Sequence, residues 1–175
     1  MFKFLIGVGL LMVMSGCCDA QHVVIRSPNG TMACGFRTKV GVVTVEHLRC
    51  VGGRCVNKEY DFRLIDSKVG ALHEIGHGEP EYFLCRRGRK HAITGLFTRK
   101  TEWICDQVFF PGESGLPVYN SKGQVVGSVL GNLVGDPYKG RVCRLRRVPE
   151  LLLQLERIEK KVEDSQPFAI TEVTN

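Results

Sequence analysis

The sequence predicts an all-β protein that ends in a short helix. From residue 22 onward, stretches rich in Val, Ile, Thr and Phe alternate with turns that contain Gly, Pro, Asn and Ser, which is the pattern of β-hairpins. After Pro149 the apolar residues recur every three or four positions, as on one face of a helix. With 175 residues, 43% of them apolar and 24% charged, the chain can form one globular domain or two small lobes with a shared core.

The first twenty residues have the layout of an export signal. Lys3 precedes an apolar run that ends near Gly16 and is short for a stable membrane span. Cleavage is expected after Gly16 or Ala20, and residues 14–17 also resemble a lipoprotein cleavage box. A buried helix, or the membrane anchor of a viral polyprotein fragment, is the alternative. We expect residues 1–20 to be a signal peptide or membrane anchor, and the protein to be secreted or membrane-associated through this segment.

The cysteine content agrees with export. Removal of residues 1–20 would leave six cysteines, namely Cys34, Cys50, Cys55, Cys85, Cys105 and Cys143. An even number in a small exported domain suggests disulfide bonds, although fifteen pairings are formally possible. The sequence has no Cys-x-x-Cys pair, which lowers the expectation of a zinc ribbon. The net charge of +6 permits contact with nucleic acid without requiring it.

A serine between two glycines is the central chemical motif. Residues 110–118 read F-P-G-E-S-G-L-P-V. Gly112 permits unusual backbone angles, and Gly115 lets the chain pass close to a substrate. In acyl transfer Ser114 would be the nucleophile, and the N–H groups of Gly112 and Ser114 would form the oxyanion hole. Alone, a Gly-Ser-Gly loop is ordinarily a turn.

Two further candidates come from the strands before this motif. Strands are expected at residues 22–26, 31–38 and 40–45. They lead into His47, a candidate general base that at a strand end would otherwise be a surface histidine. The stretch Y-D-F-R-L-I-D at residues 60–66 then begins a strand at Asp61 and ends at Asp66.

Together these residues resemble the trypsin-like serine proteases, which have the chymotrypsin fold. Cys34-Gly35 and the V-V-T-V-E-H sequence of residues 42–47 follow the family's Cys-Gly strand and its apolar-apolar-Thr-Ala-Ala-His sequence. Residues 60–66 resemble its Asp-apolar-x-Leu-apolar strand. The resemblance implies that Ser114 attacks a peptide carbonyl, His47 takes its proton and Asp61 orients His47.

Strand geometry favours Asp61 over Asp66 as the orienting carboxylate. In this family the aspartate precedes the apolar strand, which then carries the chain away from the site. Five residues of strand, at about 3.3 Å each, would place Asp66 roughly 16 Å from Asp61. Both carboxylates therefore cannot reach one imidazole.

The resemblance also implies a two-lobed chymotrypsin-like double β-barrel with a C-terminal α-helix. The first barrel should be reduced, because Asp61 follows His47 by only fourteen residues. The expected units are an N-terminal lobe at 21–66, a linker at 67–78, a C-terminal lobe at 79–148, a helix at 149–164 and a tail at 165–175.

Primary specificity is expected for apolar or small side chains. The substrate would contact Val108, Ser128, Val129 and Leu130. Val108 stands about where tryptic members carry an acidic pocket floor, and strand 127–131 lacks the histidine of viral Gln/Glu-specific relatives. Peptide or protein substrates are the expected partners, and no metal or organic cofactor is needed. The resemblance further implies a disulfide between Cys34 and Cys50 across the His47 hairpin.

Two other motifs give alternatives. H-E-I-G-H at residues 73–77 has the spacing of a zinc-protease helix. The glycines around it and Pro80 disfavour a helix, and no suitable third ligand follows. Basic residues at 86–90 and 141–147 could contact RNA. A catalytically weak, protease-like binding module is therefore the alternative function, although nucleic-acid binding is not favoured.

Three features depart from the family pattern. They are Glu46 beside the histidine, Leu116 where glycine is commonest, and the short first lobe. Short trypsin-like proteases are typical of viral polyproteins, which favours viral processing over a secreted enzyme.

Overall fold

The structure is a computed structural model that describes residues 22–27, 30–47, 54–57, 61–85 and 88–145. Within these ranges the regular elements are strands in two antiparallel sheets, and no α-helix occurs. Residues 1–20 and the helix predicted at 149–164 lie outside the described residues. No helix in the described ranges is long and apolar enough to span a membrane.

The first sheet has five strands in the order β1-β2-β3-β5-β4. Their bounds are β1 Val23–Arg26, β2 Met32–Thr38, β3 Gly41–Val45, β4 Arg54–Asn57 and β5 Phe62–Ile65. Every residue of β3 is buried, because its two faces enter different apolar clusters. Val43 packs with Phe62 and Leu64, whereas Val42 packs with Val23 and Ile25. A central strand covered on both faces reads as a continuous apolar run.

The second sheet has seven strands in the order β7-β6-β10-β11-β12-β9-β8. Their bounds are β6 Tyr82–Leu84, β7 Lys90–Ala92, β8 Phe97–Thr98, β9 Glu102–Cys105, β10 Pro117–Tyr119, β11 Val125–Leu133 and β12 Asp136–Arg144. The predicted strand at 142–148 thus begins at Asp136, ahead of its expected start. Pro137 and Gly140 obscured this extension in the sequence, but pairing with the long β11 holds the segment extended.

The linker between the sheets pairs with both of them. Isolated parallel bridges join Leu72 to Arg37 and Ile75 to Val125. The N–H of His73 donates to the Arg37 carbonyl at 2.9 Å, and that of Gly76 donates to the Val125 carbonyl at 3.0 Å. The H-E-I-G-H segment is therefore extended, without the helix that a zinc-protease signature requires.

One core cluster joins the two sheets. Phe36, Val43, Phe62 and Leu64 of the first sheet pack with Tyr119, Val125, Cys143 and Leu145 of the second sheet and its end. The lobes therefore share buried apolar surface as well as linker hydrogen bonds.

Three of the described cysteines form no disulfide. Cys85, Cys105 and Cys143 carry free thiols, so the disulfide set expected from six cysteines is wrong for these three. Cys105 pairs in register with Gly140 rather than with Cys143, and the two buried cysteines belong to different core clusters. The predicted pairing of Cys34 with Cys50 stays a prediction, because Cys50 lies outside the described residues.

Candidate active site

His47 and Asp61 lie side by side where β3 ends and β5 begins. Asp61 Oδ2 contacts His47 Nδ1, and Asp61 Oδ1 accepts the backbone N–H of His47 at 2.7 Å. The Asp61 carbonyl also accepts the Glu46 N–H at 2.9 Å. One carboxylate thus fixes both the ring and the backbone of His47. With Nδ1 directed at a carboxylate, Nε2 is the nitrogen that can accept a proton.

Asp61 adopts an uncommon backbone conformation. Its φ is 57°, the only positive φ of a non-glycine residue in the described ranges. Such conformations persist where surrounding bonds enforce them, and they concentrate at functional sites. Asp66 follows the opposite end of β5 and is exposed. The carboxylate in contact with His47 is therefore that of Asp61.

An ion pair flanks the His47–Asp61 contact. Arg63 Nε donates to Glu46 Oε2 at 2.8 Å, and both side chains are mostly buried. Glu46 and Arg63 occupy adjacent strand ends because Thr44 pairs with Arg63 in the β3–β5 register. Sequence reasoning noted Glu46 only as a departure and missed Arg63. No local pattern in residues 60–66 indicates that Arg63 pairs with Glu46, because the two residues are 17 positions apart.

Ser114 lies in a compact turn between Phe110 and Leu116. Gly112 and Gly115 have φ values of 88° and 90°, which favour glycine. The Glu113 N–H donates to the Phe110 carbonyl at 3.0 Å, and the Leu116 N–H donates to the Glu113 carbonyl at 3.0 Å. The Ser114 hydroxyl is partly buried and donates to the Leu130 carbonyl of β11 at 3.3 Å.

The Glu113 side chain stabilises this turn through a hydrogen bond to its backbone. It is buried, and its Oε2 accepts the Phe110 N–H at 2.8 Å. A buried carboxylate needs such donors, because an unpaired one is strongly disfavoured. The sequence motif gives no role for Glu113, although a charged residue inside a glycine turn is a weak signal for one.

The first sheet holds the turn through Cys34. Its N–H donates to the Ser114 carbonyl at 2.7 Å, and its Sγ lies 3.2 Å from the Gly112 carbonyl oxygen. The Cys34 carbonyl in turn accepts the Thr44 hydroxyl at 2.6 Å. A β-carbon on Gly115 would overlap the Cys34 carbonyl oxygen, so glycine is needed for this approach. The nucleophile turn and the His47 strand are therefore joined through one residue of β2.

The predicted substrate-binding residues differ in exposure. Val108 is 39% exposed, and Leu130 is partly buried with its carbonyl on Ser114. Ser128 and Val129 are fully buried, and Val129 belongs to the core of the second sheet. Of the four predicted positions, Val108 and Leu130 therefore have side chains that are not fully buried.

The alternative motifs serve packing where they are described. His73 Nε2 lies 3.0 Å from the Tyr119 hydroxyl, and Arg141 pairs with Glu102 at 2.6 Å. Lys90 lies over the Tyr82 ring. No group of three or more potential metal ligands occurs among the described residues. The other arginines of the two basic segments are at 86, 87, 89, 144, 146 and 147, and four of these positions lie outside the described ranges.

Comparison with solved structures identifies the fold. The chain is similar to the serine protease of a human pathogenic astrovirus, with a TM-score of 0.55, 15% identity, and coverage of 71% of this chain and 89% of that one. It is similar to the active form of Rv3671c protease from M. tuberculosis, with a TM-score of 0.55, 14% identity, and coverage of 77% and 79%. For the serine endoprotease from Yersinia pestis the TM-score is 0.53, the identity is 15%, and coverage is 78% and 62%.

No protein-family model and no curated protein matches the sequence. The structural likeness is consistent across the three neighbours, which are all trypsin-like serine proteases. The chain therefore has the chymotrypsin-like fold of the trypsin-like serine proteases, with two sheets and almost entirely β structure in its described part.

Proposed function

We propose that this protein is a serine endopeptidase that uses Ser114, His47 and Asp61. The observation that carries the proposal is the bidentate hold of Asp61 on the His47 ring and backbone. A histidine fixed in this way on a protease fold, with a serine in a glycine-flanked turn, has the parts of a general-base triad. The fold itself is compatible with other functions, so the site carries the argument.

In the proposed mechanism, Ser114 Oγ attacks the carbonyl carbon of a peptide bond while His47 Nε2 takes its proton. Asp61 stabilises the imidazolium and keeps its proton on Nδ1. The N–H groups of Gly112 and Ser114 donate to the tetrahedral oxyanion. His47 then gives its proton to the leaving amine, and an acyl-enzyme forms. Water, deprotonated by His47, hydrolyses the ester and restores the Ser114 hydroxyl.

An extended peptide suits the surface beside Ser114. The Val129 N–H donates to the Leu116 carbonyl, and the Val129 carbonyl accepts the Gly115 N–H. The pairing of β11 with the segment that follows Ser114 ends at Val129. Beyond Val129, β11 continues to Leu133 with β12 paired along one edge. The other edge of this segment can pair with a substrate strand through main-chain hydrogen bonds. Peptide or protein substrates follow from this shape.

A fluorophosphonate probe tests the proposal, since it reacts with a serine activated by a histidine. We expect labelling of the wild-type protein, none of Ser114→Ala, and a loss of roughly 10³-fold or more in labelling rate for His47→Ala. Circular dichroism of each variant checks that the fold is retained. Equal labelling of Ser114→Ala, or no labelling of folded wild-type protein, would contradict the proposal and favour the binding module.

The cellular setting that we propose is viral polyprotein processing or secretion. Its support is the short first lobe and the apolar segment at residues 1–20. Expression with microsomal membranes tests it: the expected product is inserted into or carried across the membrane. A product found wholly outside the microsomes would refute this setting without affecting the chemistry.

A further inference from the structure

We infer that the primary pocket of the proposed protease is shallow and accepts only a small side chain, that of glycine, alanine or serine. The inference rests on the proposed function and names its substrate class. It is carried by Asn132 and Phe109, which close the space beside Ser114.

With a substrate strand paired to the open edge of β11, as proposed above, the side chain of the acyl residue falls between the two segments that flank Ser114. One is the stretch 107–111, which leads into the nucleophile turn. The other is β11, whose Leu130 carbonyl accepts the Ser114 hydroxyl at 3.3 Å. A β-carbon on Gly131 would lie 3.9 Å from Ser114 Oγ, so β11 passes directly beside the nucleophile. The depth of the space between these segments limits the side chain that fits.

Asn132 joins the two segments through its carboxamide. Its Oδ1 accepts the Phe109 N–H at 2.8 Å, and its Nδ2 donates to the Phe109 carbonyl at 2.9 Å. A side chain that extended past this bridge would break both bonds and leave partly buried polar groups unpaired, which is unfavourable. The Asn132 carboxamide therefore limits how far a substrate side chain can extend between the two segments.

The Phe109 ring limits the space at the same depth as the Asn132 carboxamide. The ring is buried and packs edge-on against Phe83, with centroids 5.3 Å apart. A β-carbon on Gly140 would lie 2.7 Å from Phe109 Cδ2, so the ring rests directly on this glycine. Gly140 pairs with Asn132 across the β11–β12 hairpin, which brings the ring and the carboxamide together.

The acidic residue in the stretch before Ser114's turn, Asp106, is already ion-paired and so offers a basic substrate side chain no free counter-charge. Asp106, the nearest acidic residue before Val108, contacts Lys139 through its Oδ1. Its N–H donates to the Thr94 carbonyl at 2.8 Å, and this pair lies on the exposed surface. Cleavage after arginine or lysine is therefore not expected.

Peptidyl diphenyl phosphonates test the inference, because they label the active serine and carry a chosen side chain next to phosphorus. Three probes that differ only in alanine, leucine or phenylalanine at that position are compared by their labelling rates. We expect the alanine probe to react with wild-type protein at least about tenfold faster than the leucine probe. In Asn132→Ala this ratio should fall at least about fivefold, mainly through faster reaction of the leucine probe.

Asn120→Ala is the matched control. Asn120 also secures a turn, since its Oδ1 accepts the N–H groups of Lys122 and Gln124, both at 3.0 Å. It lies at the β10–β11 turn, and its alanine variant should keep the wild-type ratio. Phe109→Leu provides a second variant, and we expect it also to speed the leucine probe.

Equal rates of the three probes on wild-type protein would overturn the inference, as would an unchanged ratio in both Asn132→Ala and Phe109→Leu. A fluorophosphonate without an amino-acid side chain separates the two proposals. If it labels Ser114 in those cases, the catalytic centre stands and the shallow pocket is wrong. If it does not label folded wild-type protein, the proposed function falls and the inference falls with it.

Discussion

The role of a single carboxylate can be tested at Asp61. In Asp61→Asn the amide can still accept the His47 N–H, but its NH₂ group would face Nδ1 and favour a proton on Nε2. The ring would then be unable to accept the Ser114 proton. We expect kcat/KM to fall by roughly 10³- to 10⁴-fold while the melting temperature changes little. Steady-state kinetics and thermal unfolding measure the two effects.

Asp66→Asn is the control for this change. Asp66 is exposed beyond Ile65, and its substitution should leave kcat/KM within about twofold of wild type, as for most surface changes. If Asp66→Asn were instead the damaging variant, the assignment of the first lobe would be wrong.

The Cys105 thiol should make stability depend on alkaline pH. Burial, and secondly the charge of Asp106, raises the pKa of Cys105 from 9.0 to about 11. The contribution of the neutral thiol to the free energy of unfolding is complete below pH 9. It is lost as pH rises through 11, because the thiol ionises at a lower pH in the unfolded protein than in the folded one. Urea unfolding under reducing conditions should show wild-type protein losing on the order of 2 kcal/mol more than Cys105→Ala between pH 8 and pH 11. Parallel losses in both proteins would contradict this.

At the scale of the elements, two glycines in different turns, Gly115 beside Ser114 and Gly135 between β11 and β12, allow the effect of backbone strain to be separated from that of steric overlap. Gly115 and Gly135 have nearly equal φ values, 90° and 89°. A β-carbon on Gly115 would overlap the Cys34 carbonyl oxygen, whereas one on Gly135 would meet no atom within 4 Å. Gly135→Ala should cost about 1–3 kcal/mol in strain and keep its activity.

Gly115→Ala should cost a similar strain energy and should also lower activity at least about a hundredfold, because small displacements of a catalytic group strongly reduce the reaction rate. The Cys34 bonds to Ser114 and Gly112 would have to lengthen. Labelling rates and urea midpoints of the two alanine variants give the comparison. Similar activity in both would show that the contact between β2 and the turn is not needed for catalysis.

Elements with a local signal were predictable from the sequence, and those set by distant contacts were not. The strands β1, β2 and β3 are runs rich in apolar and β-branched residues between turn residues, so their bounds match the predictions within one or two positions. The contact between His47 and Asp61 followed from motif order and strand direction. By contrast, Asn132 binds Phe109 across 23 positions. No periodicity or turn rule relates two residues so far apart, and the early start of β12 depends on the same hairpin.

At the scale of the whole molecule, the two sheets are joined by the linker and by a shared core cluster. Arg37 and Val125, on different sheets, both bond to the linker, and the cluster around Phe62 and Tyr119 draws on both sheets. Small domains with such a continuous core usually unfold in a single transition. We therefore expect the two sheets to unfold together.

Leu64→Ala tests this coupling with a probe in the other sheet. Leu64 lies in the shared cluster, and its truncation should lower the free energy of unfolding by about 2–5 kcal/mol. Trp103 is the single tryptophan of the chain and is buried in the core of the second sheet, so its fluorescence reports that sheet. Because the lobes share a core, the fluorescence transition should shift to lower urea together with the far-ultraviolet circular dichroism. Leu72→Ala, which shortens an exposed side chain, should leave both transitions in place. A Leu64→Ala protein that kept the wild-type fluorescence midpoint while its circular dichroism split into two steps would mean that the sheets unfold independently.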